Sequence, residues 1–187
     1  MATLTPLAVS VLALLSERPM HPYEMYQLLL ERHEDRIVKV RPGSLYHTVE
    51  RLAGQQLVTA TGTERAGNRP ERTTYRITTA GKAALRGRLT EMLATRIEEY
   101  PEFPLAISEA HELPRAKVVK LLGARVEQLD AELTGLDEIT RMAGERGVPE
   151  AYWLSAGYLR ATRAAERDWL ARLIERIDSE DLAWPKK

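Results

Sequence analysis

Apolar residues recur at helical spacing along most of the chain, and the pattern changes character once. Thr5-Pro6 pairs an N-cap residue with proline at a first helical position, ahead of the apolar run Leu7–Leu15. The spacing predicts a buried first helix over about 6–16. Tyr23, Tyr26, Leu29 and Leu30 follow at helical spacing behind Pro22, giving a second helix to about His33. The polar stretch 34–41 ends in Arg41-Pro42-Gly43-Ser44, where Ser44 is expected to cap a third helix over about 44–56. Leu45, Val49 and Leu52 give that helix one apolar stripe, and its other faces carry Tyr46, His47, Thr48, Glu50, Arg51 and Gln55.

Helical spacing then gives way to β-branched alternation. Leu57–Thr61 and Thr73–Ile77 read as two short strands joined by a Gly/Asn/Pro segment, a hairpin with an extended tip. Thr78 is placed to cap a fourth helix running to about Tyr100. Pro101 and Pro104 mark a break. Beyond them Leu122, Val126, Leu129, Leu133 and Leu136 step in heptads, and Leu170, Leu173 and Ile177 line a last apolar face. Two long helices joined by a turn at Gly144–Pro149 predict an antiparallel helical hairpin. The expected fold is mainly α: a winged helix-turn-helix with a two-stranded wing over 1–100, and an α-helical domain over 101–187.

Charge sharpens this division. The chain has 27 basic and 27 acidic side chains, but residues 1–90 hold 13 basic and 8 acidic, a balance of +5. The window 36–88 holds 11 basic and 3 acidic, a balance of +8. That window covers the third helix and the hairpin, where phosphate contacts would be made. Helix, helix, helix, hairpin is the order of a winged helix-turn-helix, in which the third helix reads the major groove. The candidate DNA-binding residues are Tyr23, Arg41, Ser44, Tyr46, His47, Thr48 and Arg51, with Arg65, Asn68, Arg69 and Arg72 on the wing.

The 187 residues include no cysteine, which excludes disulfides, thiolate metal sites and cysteine nucleophiles. No Gly-x-Ser-x-Gly, Walker loop or His-Glu-x-x-His is present, and the four histidines do not pair at metal-ligand spacing. Neither an enzyme nor a cofactor is expected. No Lys or Arg precedes Leu7–Leu15, and no stretch reaches the ~20 apolar residues of a membrane span. These features fit a cytoplasmic protein.

The sequence resembles the PadR family of transcriptional regulators, of the longer kind with a helical C-terminal domain. Four places carry the resemblance: LALLSERPMHPYEMY over 12–26, PGSLYHTVERL over 42–52, YRITTAG over 75–81, and the helix from Thr79 to Leu93. It covers about residues 1–95. The sequence departs from the family pattern at Pro22, His47 and Thr79. The resemblance implies a homodimeric repressor on a pseudo-palindromic promoter operator, with reader helices about 34 Å apart. It also implies modulation by a small aromatic or hydrophobic effector. Candidate effector residues are Met92, Ile97 and Trp169, from the fourth and last helices. Leu122, Val126, Leu129, Leu133, Leu136, Leu170, Leu173 and Ile177 are candidates for the dimer seam or for a core within one chain. The competing function class is an adaptor that keeps the fold, binds ligand or protein, and does not bind DNA.

Overall fold

A computed structural model describes residues 3–64 and 72–185. The chain forms two compact units, Met1–Glu98 and Glu99–Lys187. Among the described residues it is mainly helical, with one two-stranded antiparallel sheet.

In the first unit α1 spans Pro6–Glu17, with the Thr5 hydroxyl accepting from the Ala8 N–H. Six of its twelve residues are buried, so the apolar run is a core helix. α2 spans Pro22–Glu31, and a 3₁₀ turn follows at Glu34–Arg36. α3 spans Pro42–Gly54, β1 Val58–Glu64, β2 Arg72–Ile77 and α4 Thr79–Ala94. The core joins Val11, Leu12 and Leu15 of α1 to Met25 and Leu29 of α2, Leu45, Val49 and Leu52 of α3, Val58 of β1 and Leu85 of α4.

α3 begins at Pro42, so Ser44 is the third helical residue and caps nothing; Arg41 holds the N-cap position. Proline at the first helical position brings a preset φ and has no N–H to satisfy, which moves the start two residues upstream. α4 stops at Ala94, well short of Tyr100. Thr95 and Ile97 are β-branched, Tyr100 precedes a proline, and Leu93 and Ile97 are exposed, so packing does not support another turn.

The hairpin is pinned to the helices at two points. Met20, between α1 and α2, exchanges both backbone hydrogen bonds with Tyr75 of β2, each 3.0 Å. Thr78 caps α4 by accepting from Gly81 N, and its own hydroxyl reaches the carbonyls of Gln56 and Leu57.

In the second unit α5 spans Glu102–Ser108, α6 Arg115–Glu145 and α7 Leu154–Asp178. Pro104 lies in the first turn of α5, where proline is tolerated, and does not break it. α6 and α7 pack as an antiparallel pair, with register fixed by Arg167–Asp130, Arg163–Glu132 and Arg160–Asp137. Leu122, Leu129, Leu136, Leu170 and Ile177 are buried within the single chain. Val126 and Leu173 pack on the same cluster, and Leu133 is half-buried. The heptad residues therefore close a core inside one chain, and the five buried ones offer no surface to a partner. Phe103 of α5 lies under the Arg125 guanidinium at 3.7 Å, and Arg125 is held in turn by Glu166. The Trp184 indole N–H donates to the Leu113 carbonyl, tying the segment after α7 to the segment before α6.

Candidate nucleic-acid interface

The site is built on α3. Leu45, Val49 and Leu52 are fully buried and fix the rotation of the helix. What remains exposed is Pro42, Gly43, Ser44, Tyr46, His47, Glu50, Arg51 and Gly54. Pro42 has no N–H, and the Leu45 N–H donates to the Arg41 carbonyl. The N–H groups of Gly43 and Ser44 therefore point out of an uncapped helix end carrying positive dipole charge, a geometry suited to a phosphate oxygen.

Thr48 does not belong to the outer face. It is buried, and its hydroxyl donates to the Ser44 carbonyl at 2.7 Å. Its place was legible in the sequence: it follows Leu45 by three residues and precedes Leu52 by four, so it lies on the core stripe. Arg51 is exposed but engaged, donating through Nη2 to the Thr5 hydroxyl at 3.1 Å. α3 thereby touches the cap of α1. His47 is open to solvent and faces Glu50 at 3.4 Å. Arg41 and Ser44 are exposed.

Tyr46 and Tyr23 flank this face. Tyr46 meets the His21 ring edge-on, with centroids 6.1 Å apart. In the sequence His21 stands only as one of four histidines without metal-ligand spacing. It is the N-cap of α2, its Nδ1 accepting from the Tyr23 N–H at 3.1 Å. Tyr23 is exposed, and its hydroxyl accepts from Gln27. The sequence signal was the His-Pro pair itself, an acceptor before proline at a helix start.

On the wing side, Arg72 opens β2 opposite Glu64 in the strand register. Arg65, Asn68 and Arg69 lie outside the described residues. A bulge at Thr61 shifts the register between Ala60 and Gly62, and the Thr61 hydroxyl donates to the Thr74 carbonyl.

Of the effector candidates, Met92 and Ile97 lie in the first unit and Trp169 in the second, all three exposed. A cleft of about 530 Å³ lies elsewhere, between Glu112–Arg115 and Glu180–Pro185. Among the described residues no three His, Asp or Glu side chains are grouped to hold a metal ion, and no helix is long and apolar enough to cross a membrane.

Residues 11–87, from within α1 to within α4, match the family model described as Transcriptional regulator PadR-like family. Over these residues the winged-helix unit is similar to that family. Solved structures extend the likeness over most of the chain. Bacillus subtilis PadR in complex with operator DNA is similar at 19% identity and a TM-score of 0.74, covering 91% of this chain and 97% of that one. The same protein in complex with p-coumaric acid aligns at 18% identity and 0.70, covering 92% and 98%. The Vibrio cholerae virulence activator AphA aligns at 18% identity and 0.72, covering 93% and 99%. At these identities the likeness shows the fold: a PadR-family regulator fold with a helical C-terminal region. No curated protein matches the chain by sequence.

Proposed function

We propose that this chain is a sequence-specific DNA-binding transcriptional regulator, acting as a homodimeric repressor on a pseudo-palindromic promoter site. One observation carries the reading. α3 buries Leu45, Val49 and Leu52 completely while its opposite face stays open beside a hairpin anchored to the helices. A helix held this way enters a major groove without giving up its own packing. Arg41, Ser44, Tyr46, His47 and Arg51 are the contacts on that face, with Tyr23 beside it. Arg65, Asn68, Arg69 and Arg72 supply the wing. The solved structure of Bacillus subtilis PadR on operator DNA supports the assignment by fold.

The domain division follows the two compact units, with DNA contacts in the first and dimer contacts in the second. Exposed Leu121 of α6 and Leu154 and Tyr158 of α7 are apolar surface left to a second copy. A small aromatic effector is the regulatory ligand in this reading, in keeping with the p-coumaric acid complex of the Bacillus subtilis protein. Such a ligand releases DNA only if its affinity differs between the DNA-competent state and the other.

The test is fluorescence anisotropy with the DNA upstream of the chain's own gene against a scrambled duplex, at two salt concentrations. Preference for the upstream duplex that survives the higher salt supports a specific regulator. Equal, salt-sensitive binding to both means electrostatic contact alone. No binding to either at low salt favours the adaptor.

A further inference from the structure

The residues pointing most directly away from the core of α3 are not the basic ones. Counting from Gly43 at helical spacing, i, i+4, i+7 and i+11 give Gly43, His47, Glu50 and Gly54. This line stands opposite Leu45, Val49 and Leu52. A Cβ at either glycine would meet nothing within 4 Å, so the ridge is bare at both ends. His47 and Glu50 form its middle, with side chains 84% and 68% exposed. Arg51 and Ser44 stand to one side of the line and Tyr46 to the other.

Glu50 is the single acid of α3, in a stretch otherwise rich in arginine. Its neighbour is His47 on the same ridge, at 3.4 Å, and among the described residues no Arg or Lys pairs with the carboxylate. Arg51, the next residue, is turned to Thr5. A carboxylate at the centre of a surface that meets a polyanion is repelled by every phosphate nearby. The groove offers one kind of group that offsets this: an exocyclic amine on a base edge, a donor with no negative charge. A carboxylate is a pure acceptor, and cytosine N4 is its favoured partner in the major groove, with adenine N6 the other amine there.

We propose that Glu50 is a specificity-determining residue that accepts a hydrogen bond from an exocyclic base amine, one in each half-site, and that it lowers affinity for all other DNA. The inference rests on α3 being the DNA reader. It adds a residue that acts by exclusion, where the basic contacts act by attraction.

The experiment is selection from a random duplex library with the full-length chain, its Glu50→Ala and Glu50→Asp variants, and a fixed unrelated duplex as reference. The wild type is expected to enrich one amine-bearing base, cytosine or adenine, at a symmetric pair of positions, and the enriched base says which amine is read. Glu50→Ala should relax that position alone by about tenfold or more, while binding the unrelated duplex severalfold more tightly. Glu50→Asp keeps the charge on a shorter arm. It should lose the base preference without the gain in unrelated binding. Unchanged preferences in Glu50→Ala overturn the inference and leave DNA reading by α3 intact. Equal weakening on every duplex overturns it too, because that marks a structural role. If the wild type selects no sequence, the regulator reading fails and this inference fails with it. Because Glu50 is exposed, unchanged thermal unfolding of both variants is the folding control.

Discussion

Gly81 lies so close to the Leu57 carbonyl that a Cβ on it would stand 2.1 Å from the oxygen. The same Cβ would meet the Ile77 side chain at 2.8 Å. The first turn of α4 is thus pressed onto the residue that precedes β1, and only glycine fits. Gly81→Ala must push backbone apart. It should destabilise the first unit by about 2 kcal/mol or more, in the range of overpacking changes. Urea unfolding followed by far-UV circular dichroism measures it, and a change below about 0.5 kcal/mol would contradict the contact.

The α6–α7 leucines and the exposed apolar residues should separate cleanly. Leu170→Ala opens a cavity in a fully buried site and should cost about 2–5 kcal/mol. Leu121→Ser and Tyr158→Ser remove exposed side chains and should change stability by less than about 0.5 kcal/mol. In the proposed dimer they should instead raise the dissociation constant measured by sedimentation equilibrium. If Leu170→Ala alone dissociates a well-folded dimer, the core assignment fails.

Two carboxylates in the first unit should give opposite pH trends. Glu17 takes a bidentate hydrogen bond from Arg32, which holds its carboxyl below the ordinary range. Its stabilisation is present above the ordinary carboxylate range and is lost as pH falls through the lowered value. Glu34 is half-buried, and burial pushes its carboxyl up despite a hydrogen bond from Ser10. The unfolded chain ionises this group first, so stability falls as pH rises from the ordinary carboxylate range to the raised value. Glu34→Gln should therefore exceed the wild type in stability at neutral pH and converge on it in acid. Glu17→Gln should fall below the wild type at neutral pH and also converge in acid. Chemical denaturation from pH 7 down to about pH 2 reads both signs, the Glu17 variant converging only below the lowered value. Glu17 is half-exposed, so its effect should be the smaller.

Arg51 tests the reader surface from the opposite charge. Arg51→Glu, combined with reversal at Arg69 and Arg72, should abolish measurable DNA binding at moderate salt. Arg51→Ala alone should lower the slope of log affinity against log salt by about one if Arg51 leaves Thr5 for a phosphate. Anisotropy titrations at four salt concentrations give the slope. Undiminished affinity of the triple reversal would remove α3 and the wing from the interface.

Most of the first unit was legible because local signals agree with packing there. Thr5-Pro6, Thr78 and the Leu45–Leu52 stripe each predict a feature that the structure has. The errors arose where one signal was read alone. Ser44 looked like a cap because serine caps helices, but Pro42 had already started the helix. Thr48 looked like a reader because it is polar, but its spacing places it with the leucines. α4 looked longer because Leu93 and Ile97 continue an apolar pattern that nothing in their unit covers. In the second unit the heptads gave the helices correctly. Periodicity alone does not say whether an apolar stripe meets its own chain or a second one. Glu50 was visible as a polar residue, but its central place on the ridge emerged only once Leu45 and its companions fixed the helix rotation.

Trp153, Trp169 and Trp184 are the three tryptophans of the chain, and all lie between Glu99 and Lys187. Trp153 donates to the Val148 carbonyl, Trp184 to that of Leu113, and Trp169 is partly open to solvent. The winged helix is therefore dark when the protein is excited at wavelengths that only indole absorbs. Emission from the unmodified chain reports on the helical unit alone, with Trp169 accessible to a soluble quencher. A DNA titration that changes this emission would be a direct optical record of binding at the first unit felt in the second.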